Sequence, residues 1–160
     1  MTVQWQTLSF TELSLEKLYA VMRLRQEVFV VEQQCVFLDL DNLDQQAVHM
    51  FCTAGEEVLA YQRCIAPGPS SPESLLGRIV VSPVRRNQQL GRELVQRGIE
   101  HNLLRWPGSD IRISAQARLQ SFYASLGFAG EGSEYIEDNI PHKQMRYRST
   151  ITQPEFPTGK

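Results

Sequence analysis

Apolar and polar residues change their rhythm along this chain, and the changes mark out its elements. Val3 to Leu8 alternates with the period of two expected of a half-buried strand. Ser14 then stands as a helix N-cap, and behind it Leu15, Leu18, Tyr19, Met22, Gln26 and Phe29 fall on one helical stripe, apolar except at Gln26. This predicts a helix running to Val30 or Glu32. The run from Cys35 to Gln46 mixes apolar residues with Asp39, Asp41 and Asp44, and reads as a short helix or an irregular loop.

From Val48 the pattern turns to sheet. Val48 to Thr53 and Val58 to Ile65 read as strands of a hairpin turning at Ala54-Gly55-Glu56-Glu57. A Pro-rich polar loop, Ala66 to Ser74, leads into a strand from Leu75 to Val81. Gln89 to Leu104 is a helix whose broad apolar set (Leu90, Leu94, Val95, Ile99, Leu103) calls for packing against a sheet. Asp110 to Ser114 is a strand, Ala117 to Leu126 a helix stopped by Gly127, and Lys143 to Arg148 a last strand. The order is β-α-(α)-β-β-β-α-β-α-β-(β): an α/β (α+β) protein with an antiparallel front half and a βαβα back half. Residues 1–148 form a single domain; Pro154 and Pro157 make 149–160 a disordered tail.

Composition narrows the setting. At 160 residues the chain can bury a full core without disulfide or metal. Its net charge of −2 gives no broad drive toward nucleic acid or an anionic membrane. No basic and apolar leader opens it, and no apolar run approaches the ~20 residues of a membrane span, so a cytoplasmic location is expected. Cys35, Cys52 and Cys64 lie too far apart for a CxxC motif and are expected to be reduced, mostly buried thiols. His49, His101 and His142 lack metal-ligand spacing, and the Asp39-Asp41-Asp44 group lacks the glycine and distal glutamate of a calcium loop. No metal is expected, and the aspartates read as a polar surface or helix-capping cluster.

The segment SPVRRNQQLGREL, Ser82 to Leu94, is the richest in chemistry. An apolar strand, a short basic turn and a helix N-terminus follow in that order. The first N–H groups of a helix have no intrahelical partner and carry the positive end of its dipole, so the arrangement cradles an anion, most often phosphate.

With this cradle, the element order and the run FYASLGF (Phe122 to Phe128), the chain resembles the GNAT N-acetyltransferase superfamily over about residues 3 to 148. LRQEVFVVEQQC, SAQARLQSFYASLGF and YIEDNIPHKQM resemble its bacterial ElaA-type branch. The resemblance implies a mixed, mostly antiparallel sheet whose fourth and fifth strands splay to admit acetyl-CoA. Ile79, Val80 and Val81 would pair with the pantetheine arm. Arg86, Asn87, Gln88, Gln89, Leu90 and Gly91 would form the pyrophosphate turn, with Arg92 adding charge. Gln116 and Phe122 would stand near the cofactor, and Tyr123 would face the thioester. The turn departs from the family pattern, since Asn87 and Gln89 stand where glycines are usual. A left-handed Gln89 costs about 1–2 kcal/mol, which argues for weaker CoA binding if the cost falls on the bound state.

Acyl transfer to an amine needs a polarised carbonyl, a deprotonated amine and a proton for the departing thiolate. The splayed strand offers a free N–H to the carbonyl, assigned here to Val81. Tyr123 is the candidate acid and Glu32 the candidate base, with Glu27, Asp41, Asp44, His49 and His142 as further bases. Glu27 and Glu32, with Arg25, could instead form a group that recognises the acceptor. The function expected is transfer of acetyl from acetyl-CoA to a primary amine, on a small molecule or peptide, by direct attack in a ternary complex. Rival readings are a different acyl donor such as acyl-carrier protein, and a CoA-binding module without turnover. A homodimer is the base-rate expectation.

Overall fold

The computed structural model describes residues 2–150; the tail predicted to be disordered lies outside them beyond Thr150. One seven-stranded sheet runs in the order β1-β2-β3-β4-β5-β7-β6. β1 (Gln4–Ser9) is the edge, followed by α1 (Leu15–Arg25), β2 (Val48–Ala54), β3 (Glu57–Ile65) and β4 (Ser74–Val81). α2 (Leu90–Arg105) crosses to β5 (Ile111–Gln116), and α3 (Gln120–Ala124) precedes the hairpin of β6 (Ala129–Glu137) and β7 (Ile140–Tyr147). All neighbours pair antiparallel except β4 with β5, the two joined by the α2 crossover. No helix among the described residues is long and apolar enough to cross a membrane.

α1 starts where Ser14 Oγ accepts the Lys17 N–H at 3.1 Å. It does not end at Arg25 but widens into a π-helical stretch, Gln26–Glu32, with Gln33 N donating to Val28 O at 3.1 Å. The face it buries is not the stripe expected. Val21, Leu24 and Val28 pack on Phe51, Val58, Tyr61 and Val80, while Leu15 and Tyr19 stand exposed. The helix carries two apolar stripes, and periodicity alone does not choose between them; the buried one includes Arg25, which made it look the poorer. On the opposite face α2 and α3 cover the sheet, with Val95, Ile99 and Leu103 against Ile111, Ile113 and Met145.

Arg25 explains the aspartates. It is fully buried, donating to Asp39 Oδ2 at 2.8 Å and Asp44 Oδ1 at 2.6 Å. Arg63 on β3 meets Asp41 at 2.8 Å and Asp44 at 3.1 Å, and Arg78 on β4 lies 2.7 Å from Asp39. The expected surface cluster is therefore a largely buried lattice of three arginines and three aspartates. It pins the 39–44 segment against α1, β3 and β4, because charges so placed must be paired.

α2 also approaches β3 closely at Gly98. A Cβ there would collide with the amide of Gln62, which is fully buried and donates to Leu94 O at 2.6 Å. Alanine's better helix propensity is worth about 1 kcal/mol, whereas overpacking typically costs about 1–3. Gly98→Ala should therefore lower the unfolding free energy by about 1 kcal/mol in a urea titration.

Two elements differ from expectation at the back of the sheet. The 117–126 helix is a short 3₁₀ turn, Ala117–Leu119, followed by α3. β6 has no counterpart in the sequence reading beyond an optional final strand, because AGEGSEYIE is mostly exposed and lacks alternation. β7 begins at Ile140, three residues before the start expected.

Candidate active site

The site grows out of a defect in β4. Tyr61 faces Val80 and Arg63 faces Gly77, so Arg78 and Ile79 together oppose Gln62 in a β-bulge. Arg78 takes φ +50°, a left-handed conformation uncommon for a residue other than glycine. The bulge bends β4 away from β5, whose parallel pairing is confined to Ser74 with Ile111 and Leu75 with Arg112. Beyond Leu75 the two strands part. Ser82 N donates to Leu59 O on β3 at 2.8 Å. By alternation the N–H of Val81 points to the opposite side, toward the opening.

A cavity of about 500 Å³ occupies the parting. Its floor is a polar row: Arg112, Ser114 and Gln116 on β5, with Gln144 and His142 beside them on β7. These side chains alternate with the apolar Ile111, Ile113 and Ala115, which face α2 and α3. One wall is built by Phe29, Gln33, Cys35 and Phe37, the other by Glu137, Asp138 and Ile140. Ile79 and Tyr123 line the cavity where it meets the split.

The turn after β4 leads directly into α2. Asn87 and Gln89 take φ +64° and +62°, both left-handed, and Leu90 opens α2. Glu93 N is bonded to Gln89 O at 3.1 Å, and no side chain caps the helix, so the N–H groups of Leu90, Gly91 and Arg92 point outward unspent. A Cβ on Gly91 would meet Val81 Cγ2 only at 3.5 Å, an ordinary contact. The protein's own packing does not demand this glycine; it leaves the backbone open to a close approach from outside. A positive φ is strained for a residue with a Cβ, and Gln89 carries that strain in the folded chain. Gln89→Gly should raise the melting temperature, by relieving about 1 kcal/mol. Asn87→Gly should gain less, because asparagine tolerates this conformation.

Tyr123 is buried, its ring edge-on to Phe122 at 5.1 Å and Phe128 at 6.0 Å. Its hydroxyl has no hydrogen-bond partner among the described residues, and burial pushes its pKa up to about 12. Gln116 reaches Gln33 across the cavity at 3.4 Å. Arg92 donates to Ser125 Oγ at 2.6 Å and stacks over Phe122 at 6.0 Å, tying α2 to α3. Val80 turns into the α1 core, whereas Val81 packs on the α2 side. Glu32 does not line the cavity. It is exposed and paired at 2.6 Å with Arg86 of the turn.

Of the further base candidates, His49 is sealed in the core. Its Nε2–H donates to Asp44 O at 2.8 Å, Nδ1 accepts from the Tyr61 hydroxyl at 2.7 Å, and burial lowers its pKa. Asp41 and Asp44 belong to the arginine lattice. His142 is the one that lines the cavity. Its Nδ1–H donates to Ile140 O at 2.7 Å, which leaves the Nε2 lone pair on the other side of the ring. Glu137 Oε2 lies 3.5 Å from that Nε2. All three cysteines are free and buried, but Cys35 lines the cavity and donates its thiol to Asp138 O at 2.9 Å.

A model of the acetyltransferase (GNAT) domain family matches residues 25–149. The chain belongs to the GNAT family. Within it the ElaA-type branch is the near kin: protein ElaA of Escherichia coli is 37% identical over 145 residues, covering 89% of this chain and 95% of that protein. A UPF0039 protein of Synechocystis is 40% identical over 149 residues, 92% of this chain and 97% of its own. Among solved structures, an acyl-CoA N-acyltransferase from Pseudomonas aeruginosa superposes with a TM-score of 0.87 at 36% identity, covering 91% and 99% of the two chains. Escherichia coli ElaA superposes at 0.86 with 35% identity, covering 92% and 100%. The GNAT fold and these neighbours make the chain an acyl-CoA-dependent N-acyltransferase.

Proposed function

We propose that the chain moves an acetyl group from acetyl-CoA to a primary amine by direct attack in a ternary complex. The observation that carries this reading is the parting of β4 from β5. It frees a β4 edge that runs on into a left-handed turn, and Ile79 and Tyr123 line the cavity beside it. The pyrophosphate would lie on the N–H groups of Leu90, Gly91 and Arg92, with Arg86 nearby, and the pantetheine arm along Ile79 to Val81. The Val81 N–H would polarise the thioester carbonyl.

The amine enters from the cavity side. The Nε2 lone pair of His142 takes its proton, directly or through water, as nitrogen bonds to the carbonyl carbon. His142 is preferred to Glu32 as base because it lines the cavity while Glu32 is spent on Arg86. The C–S bond then breaks, and the Tyr123 hydroxyl donates a hydrogen bond to the departing sulfur. With its pKa near 12, full proton transfer to a thiolate of ordinary pKa near 8.5 is uphill by about 5 kcal/mol. Tyr123 therefore acts by stabilising the developing thiolate while it leaves, and the proton released by the amine balances the free thiol. The donor is the soluble cofactor acetyl-CoA, and no metal enters the scheme.

The test is release of free thiol from acetyl-CoA against a panel of amino acids, polyamines, aminoglycosides and peptides. Amine-dependent thiol release with an N-acetylated product is expected. Binding of acetyl-CoA with no release by any amine would overturn the reading.

A further inference from the structure

The cavity is bipolar, and its two ends differ in what they leave unpaired. At the end where β4 and β5 still touch, Arg112 rises from the floor with only one of its three guanidinium nitrogens engaged. Nη2 donates to Glu73 Oε1 at 3.1 Å, Nε is buried without a partner, and Nη1 has none among the described residues. Glu73 does not balance this arginine alone, since it also holds Arg146 at 2.8 Å and Ser71 at 2.7 Å. Across the split Arg78 lines the same cavity. Its Nε and Nη2 are spent on Asp39 and Asp41 and its Nη1 is likewise unpartnered among the described residues.

At the other end the sign reverses. Glu137 and Asp138 line the wall beside His142, and neither is paired with a lysine or arginine among the described residues. Glu137 accepts only from Ser114 Oγ at 3.1 Å besides facing His142. The buried Oε1 of Gln144, next to Ser114 across the β5–β7 pair, has no donor. This end therefore offers acceptors to an ammonium, and the first offers donors to an anion of carboxylate shape.

We propose that the acceptor is an amino acid that presents a side-chain amine, its carboxylate held at Arg112 with Arg78 opposite and its amine lodged between Glu137 and His142. The inference rests on the acetyl-transfer reading above, which requires the amine to meet the thioester near Ile79 and Tyr123. Arg112 and Gln116 are four strand steps apart, about 13 Å of rise. That separation requires a chain of several bonds between carboxylate and amine. An α-amine, one carbon from its carboxylate, would be held too far from the reacting end. A polyamine or aminoglycoside would leave Arg112 facing a like charge.

The experiment compares lysine with cadaverine, the same chain without the carboxylate, and with a tripeptide ending in lysine, by thiol release and by calorimetry on the CoA-loaded protein. Lysine or the C-terminal peptide should exceed cadaverine in kcat/KM by about tenfold or more, the scale of a charged hydrogen-bonded contact. The ratio of the two carboxylates reports whether the free amino acid or the peptide is the source. Arg112→Met should collapse the preference toward unity, and Arg112→Lys should restore part of it. Equal or better use of cadaverine, or an unchanged preference in Arg112→Met, overturns the inference while acetyl transfer stands. If acetyl-CoA binds but no amine releases thiol, acetyl transfer fails. The calorimetric comparison then still decides this subsite: lysine binding no tighter than cadaverine overturns it.

Discussion

Replacing Tyr123 by phenylalanine should lower kcat for acetyl transfer by about a hundredfold, the lower range for removing one hydrogen-bond donor aimed at developing charge. The affinity for acetyl-CoA should change little. The substitution removes one oxygen from a buried ring and keeps its edge-on contacts with Phe122 and Phe128. The hydroxyl makes no hydrogen bond to described residues, so its loss leaves no partner stranded and the fold should be preserved. Because burial holds the group near 12, it is protonated throughout the neutral range. The deficit in Tyr123→Phe should therefore be constant from pH 6 to 9 (~3 pH units below the hydroxyl's pKa at the upper limit). A variant that retains full kcat would remove Tyr123 from the mechanism. A deficit confined to KM would make it a binding residue.

The largest effect on stability should come from Arg25→Met. Arg25 is fully exposed to its counter-ions and not at all to water, and its removal leaves Asp39 and Asp44 buried with fewer partners. Breaking a buried pair from one side costs about 3–5 kcal/mol, which should appear as a lowered urea midpoint with an unchanged slope. The same lattice sets the response to acid. Burial pushes Asp41 up, but the hydrogen bond and charge of Arg63 outweigh it and hold the carboxyl at about 2. Asp44 is lowered as well, its burial outweighed by Arg25 and Arg63. Folded values below the unfolded ones mean that these carboxylates stabilise the fold above about pH 4. That contribution drains away as pH falls toward 2, by about 2 kcal/mol for Asp41. Acid titrations of the wild type should thus show a steep loss between those limits, and Asp41→Asn, already deprived of it, a shallower one.

The sequence was legible where one residue pattern served one purpose. The strand from Leu75, the basic turn and the helix from Leu90 stand where the apolar run and the helix signals put them. At the glycine-poor turn the sequence shows only that Asn87 and Gln89 stand where glycines are usual; the positive φ at both positions is seen only in the fold. What remained hidden depended on contacts far apart in the chain. Asp39, Asp41 and Asp44 look like surface residues until Arg25, Arg63 and Arg78 arrive from three other elements. The bulge at Arg78 has no local signature, because an arginine stands where a glycine would have announced a positive φ. The cavity floor carried a faint signal. Arg112, Ser114 and Gln116 alternate with Ile111, Ile113 and Ala115, so one face of that strand had to meet water or a ligand. Pairing with β7 then brought Gln144 and His142 beside them, a neighbourhood that only the register reveals.

The parted strands and the turn beyond them make one claim that a single titration can address. Acetyl-CoA added to the purified chain in a calorimeter should bind saturably and one to one. CoA lacking the acetyl group should compete for the same site, and dephosphorylated pantetheine, which cannot reach the anion turn, should bind far more weakly. No heat at millimolar acetyl-CoA, or equal binding of pantetheine and the whole cofactor, would contradict the account.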